Sequence, residues 1–119
     1  MTTNLFNNSG QTFKTHITEE QDSSVTIDAS SFTEAIYRIY LADCTTVLVE
    51  KTKTGGGIAV VADVDAEGNP INVFQTTLLK ADMTMAAGQY PHQLKVTNSA
   101  GLELPPIFES NVTIAKVAN

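Results

Sequence analysis

Of the 119 residues, 34 are Val, Ile or Thr, and this density of β-branched side chains restricts the fold more than any other feature. Two heavy atoms on Cβ stiffen χ1, which taxes a helix and suits a pleated, half-buried surface. Their placement points the same way. Ala35, Tyr37, Ile39 and Leu41 make one row, with Glu34, Ile36, Arg38 and Tyr40 between them. A helix would instead gather Ile36, Ile39 and Tyr40 on one face, but β-branched and aromatic residues dominate the run and the alternation predicts a strand. The same period of two appears in Phe13-Thr15-Ile17, in Val47-Val49 against Leu48-Glu50, and in Tyr90-His92-Leu94-Val96 against Gln93-Lys95-Thr97. Shorter pieces, Val25-Thr26-Ile27 and Val112-Thr113-Ile114, read as strands too.

Between these runs lie turn residues. Asp43 to Thr45 is a turn, and Gly55-Gly56-Gly57 closes the strand before it, since adjacent glycines carry a high entropy cost in a regular element. Ile58 to Val64 is apolar almost throughout, the pattern of a strand covered on both faces. With the turn at Asp65 to Pro70, residues 58 to 76 read as a hairpin. Residues 77–87 hold unbranched Leu, Met and Ala and predict a short helix or loop. Pro91 predicts an edge or an irregular start for its strand. Asn98 to Gly101 is a hairpin turn. Strands thus recur about every ten residues, which predicts an all-β sandwich of about seven to eight strands. The expected organisation is a polar arm over residues 1–12, ordered by docking to a partner, and one sandwich domain over 13–119.

At 12.8 kDa the chain is one domain with room for a real core. Seven basic against thirteen acidic residues disfavour nucleic acid and anionic membranes as partners. No run approaches the roughly 18 apolar residues of a membrane-spanning helix. The start, Met-Thr-Thr-Asn-Leu-Phe, lacks the basic and apolar segments of a signal peptide, so the expected product is made in the cytoplasm. A lone Cys44 forms no internal disulfide.

The chemical motifs resolve into plain readings. Asp63, Asp65 and Glu67 before Gly68 resemble the start of a calcium loop, but Phe74 stands where the closing Glu belongs and Pro70 interrupts the stretch. Thr54 to Gly57 is followed by a strand, whereas a phosphate-binding loop needs a helix behind it. His16 and His92 have no ligand-spaced neighbours. Cys44 has no histidine beside it, and no Gly-x-Ser-x-Gly elbow occurs. Asn7-Asn8-Ser9 and Asn111-Val112-Thr113 match a glycosylation pattern that means little without secretion. The expectation is a non-enzyme with no catalytic residue, no cofactor and no metal.

Residues 86–114, reading AAGQYPHQLKVTNSAGLE and then PPIFESNVTI after Leu104, resemble the closing half of immunoglobulin-like sandwich domains in tailed-phage virion proteins. The N-terminal domain of the phage baseplate upper protein family is the nearest. Gly88 and Tyr90 fill its Gly-x-Tyr positions, Asn98 to Gly101 its hairpin, and Asn111 to Ile114 its last strand. Asp22 to Ile27 and Phe32 to Tyr40 match its early strands; Gly55 to Gly57 and Pro105-Pro106 depart from it. The resemblance implies a structural part of a phage particle, in the tail, baseplate, neck or capsid surface, whose partners are other phage structural proteins or copies of itself. The rival expectation is a sandwich that binds carbohydrate or peptide. Such modules usually stack ligand on exposed aromatics, and this chain has no Trp.

Overall fold

The computed structural model describes residues 4–18, 26–65, 67–104 and 106–116. Val25, expected in a strand, lies outside the described residues, as do residues 1–3 of the expected arm. The described chain forms β1 (Asn4–Phe6), β2 (Gln11–Thr15), β3 (Ile17–Thr18), β4 (Thr26–Ile27), β5 (Phe32–Tyr40), β6 (Val47–Thr52), β7 (Ile58–Val64), β8 (Pro70–Leu78), β9 (Gly88–Asn98) and β10 (Phe108–Ala115). Seven of these have five or more residues, in line with the expected strand number. The expected helix or loop after residue 77 is one 3₁₀ turn, Lys80–Asp82, set in a loop.

Two sheets make the sandwich. One has the order β1–β10–β9–β5–β6 and the other β2–β8–β7, while β3 and β4 pair separately. All pairings are antiparallel except β1 with β10. Two hairpin-like pairs, β9–β10 and β5–β6, join through β5–β9, with β1 parallel to β10 at the edge, and this sheet faces a three-strand one as in an all-β sandwich. Period-two alternation puts Ala35, Tyr37 and Ile39 of β5 in the core with His92, Leu94 and Val96 of β9. Phe74 and Leu78 of β8 meet them from the other sheet. The layers touch through rings: Phe13 stands edge-on to Tyr37 at 5.1 Å, and Phe32 lies 6.1 Å from Phe74.

Three expectations change. The polar stretch 4–12 belongs to the sheets, because β1 pairs with β10 and Leu5 is only 2% exposed. Of its two apolar residues, alternation aims Leu5 at the core and leaves Phe6 outside. Second, Ile58–Val64 is not covered on both faces; β7 is an edge strand in which Ala59, Ala62 and Val64 are exposed. Third, Pro91 lies in β9, which is a central strand. Pairing with β5 runs only as far as Ile39–His92, so at Pro91 the strand has β10 alone beside it and the missing N–H costs no bond to β5. The irregular start expected there is thus local.

The turn residues do what their chemistry suits. Asn98 Oδ1 accepts from the N–H groups of Ala100 and Leu102, and Gly101 takes a φ of 83°. Asp43 holds the β5–β6 turn by accepting from Thr45 N, Thr46 N and Thr46 Oγ1. Leu5→Ala is expected to cost about 2–4 kcal/mol in urea unfolding, since it empties a core position. Unfolding at the parent midpoint would mean that β1 is a loose arm after all.

Candidate interaction surface

The interior holds one polar pair, Tyr37 and His92. Tyr37 and His92 are inward-facing on neighbouring strands, and the tyrosine hydroxyl lies 2.8 Å from His92 Nδ1. His92 is 1% exposed, and burial pushes its pKa down to about 4, so the ring is neutral at physiological pH. Burial pushes the Tyr37 phenol up. His92 therefore lines the core, as its parity with Leu94 and Val96 predicts.

The other sequence motifs also find structural work. Asp65 closes the β7–β8 hairpin by accepting from Glu67 N and Asn69 N, which uses the carboxylate that a calcium loop would need. Asp63 Oδ2 lies 3.9 Å from Lys14 Nζ and 3.4 Å from His16 Nε2. Among the described residues no group of three His, Cys, Asp or Glu could hold a metal ion. At Gly57, φ is +97° and an added Cβ would sit 2.4 Å from Lys51 Cδ, so the glycine gives room to the lysine stem. Lys51 reaches Asp82 at 2.8 Å. Cys44 is exposed at the tip of the β5–β6 turn with φ 61°. No helix of the described residues is long and apolar enough to cross a membrane.

Large apolar side chains are exposed in loops, Leu79 and Leu102 above all, and in one group at a sheet edge. Leu41, Val47 and Leu48 are 40%, 42% and 36% exposed around the β5–β6 turn. Their exposure has a local cause. Ile39 pairs with Val49 but Tyr40 pairs with Val47, so Leu48 is an extra residue in β6. Such a bulge breaks strict alternation and leaves both Val47 and Leu48 outward. Sequence alternation expected one of the two to be covered, and nothing in the wording marks the bulge. Between the edges of β6 and β7 opens a cleft of about 320 Å³, lined by Lys51, Gly57, Ile58, Ala59, Thr77 and Leu79. The tyrosines offer little for stacking: Tyr37 and Tyr40 are buried, and Tyr90 donates to the Ala86 carbonyl at 2.6 Å.

Comparison with protein-family models, curated proteins and solved structures finds no match to this chain.

The neutral His92 makes stability depend on pH. Its folded pKa of about 4 lies below the ordinary 6.5, so the unfolded chain binds the proton first. The stabilisation is complete above pH 6.5 and is lost as pH falls toward 4, up to about 3 kcal/mol. Asp28 and Asp43 act in a lower window. Hydrogen bonds, first from the side chains of Ser30 and Thr46 respectively, hold their pKa values at about 2. Their contribution therefore disappears below about pH 4. Chemical unfolding from pH 7 to 4 is expected to show the loss in the parent and a flatter profile in His92→Gln. Parallel profiles would remove His92 as the source.

Proposed function

We propose that this chain is a non-enzymatic structural component of a bacteriophage particle that acts through protein–protein contacts. The observation that carries the reading is the apolar corner of Leu41, Val47 and Leu48, set outward at a sheet edge by the β6 bulge. Clustered exposed apolar side chains suit a surface that another protein covers. The resemblance of residues 86–114 to phage virion sandwiches supplies the kind of particle. Its key residues take roles in keeping with that pattern: Gly88 opens β9, Tyr90 ties that strand to the preceding loop, and Asn98 to Gly101 turns the chain toward β10. Sheet edges give a second means of contact, since a strand with one neighbour can pair with a strand of another protein.

The test uses purified phage particles from the strain that encodes the chain. Mass spectrometry is expected to find it in fixed proportion to the other virion proteins. Leu48→Glu is expected to abolish incorporation at unchanged thermal stability, because the residue already faces water. Absence from the particles would overturn the virion reading, and full incorporation of Leu48→Glu would move the contact elsewhere on the surface.

A further inference from the structure

The geometry points to a homodimer formed by exchange of β1, in which the first strand of each copy takes the place beside β10 of the other. This inference deepens the proposed assembly role by naming one partner, and so rests on that reading. It begins with how β1 is attached. The strand has three residues and pairs only with β10, in the one parallel pairing among the described strands. The chain then crosses to the other sheet, where β2 pairs with β8. A single crossing thus joins β1 to the rest of the described fold, and the strand can be replaced by its equivalent without threading. Its place cannot stay empty at small cost, because Leu5 is 2% exposed and belongs to the core. The replacement must bring an apolar side chain opposite Ile114, which β1 of a second copy does.

The hinge is short and bent. Asn7 still extends the ladder, donating its N–H to the Ala115 carbonyl at 3.0 Å, so the turn falls to Asn8-Ser9-Gly10. Asn8 takes a φ of 54°, a left-handed conformation that an extended hinge would relieve. Short hinges held in this way favour exchange. Few bonds belong to the closed hinge alone: Asn8 N–H donates to the Met83 carbonyl, and Gln11 Nε2 to the Ser9 carbonyl. Others survive exchange. Gln11 accepts from Phe6 N–H and donates to the Phe6 carbonyl, and Gln11 of the receiving copy can hold the incoming Phe6 in the same way. Three extended residues span roughly 10 Å, enough to lead β1 straight out of one copy and into its neighbour.

A second copy gains something that the closed chain lacks. Exchange gives each β1 its former neighbours and adds one new contact, where the two hinges pass each other. Two large apolar side chains stand beside that point. Phe6, the last residue of β1, is 45% exposed, and Leu79 is 58% exposed. Leu79 adjoins the hinge, since a Cβ added at Gly10 would lie 3.7 Å from both the Leu78 carbonyl oxygen and Lys80 N. In a single copy both side chains remain in water. A twofold axis between the hinges brings Phe6 and Leu79 of the two copies together and covers them.

Light scattering on the full chain after incubation at millimolar concentration tests the inference. The parent is expected to form a dimer that persists for a time on dilution, because β1 must leave both copies before they part. Cross-linking then identifies the strand. Asn4 and Thr113 are register partners, so Asn4→Cys is mixed with Thr113→Cys, both in a Cys44→Ser background. Oxidised glutathione is expected to link the two variants into a heterodimer, well above the homodimer either gives alone. The double variant, oxidised while dilute, holds β1 in its own chain and is expected to stay monomeric when concentrated. Phe6→Ser is expected to weaken the parent dimer about tenfold at an unchanged circular dichroism spectrum, since the residue already faces water. A parent that stays monomeric at millimolar concentration overturns the exchange. It leaves the assembly role standing, because incorporation into particles is measured separately. A dimer that gives no excess of the linked heterodimer, or that forms despite the oxidised lock, also overturns exchange of β1.

Discussion

The burial of Tyr37 sets the terms for the rest of the sandwich. Its ring lies on the middle of β5, edge-on to Phe13 of the opposite sheet, with its hydroxyl 2.8 Å from His92 on β9. One side chain thus bridges the two layers by packing and joins two strands of one layer by a hydrogen bond. A buried hydroxyl and a buried imidazole are each costly without a partner, so the pair fixes which face of β5 and β9 points inward. Once that face is set, alternation places Ala35, Ile39, Leu94 and Val96 in the core without further instruction. Burial also keeps His92 neutral, which links the integrity of the core to pH.

Much of this was legible in the residues. Alternating rows identified β5 and β9, and the Asp65 to Pro70 turn identified the β7–β8 hairpin. The parity of His92 put it on the core face or its rim, and it lies inside. What the alternation did not carry was context beyond the single strand. Leu5 and Phe6 looked like part of a polar arm, because the strand partner of Leu5, Ile114, lies at the other end of the chain. The run Ile58 to Val64 looked fully covered, since an apolar sequence does not say whether a strand has one neighbour or two. The bulge at Leu48 depends on how β6 pairs with β5, and the surface it creates was therefore hidden as well.

These departures bear on function together. The interior is occupied by packed rings and the Tyr37–His92 pair, and the acidic residues that looked like ligands hold turns and ion pairs instead. Large apolar side chains left outside include Leu41, Val47 and Leu48 beside β6 and Val64 at the end of β7, along with Leu79 and Leu102 in loops. A sandwich arranged in this way is suited to meeting other proteins by its rim. The overall charge of −6 keeps such a surface from collecting partners indiscriminately until a complementary one is met.

The central claim is that the molecule is closed inside and acts through its strand edges. Amide hydrogen exchange at low and at high protein concentration tests it most directly, because it reads backbone protection strand by strand. The expected result is slow exchange at both concentrations in β5 and β9, with protection that rises with concentration in at least one edge strand. Protection that rises in no edge strand, or core strands that exchange as fast as the turns, would contradict the account.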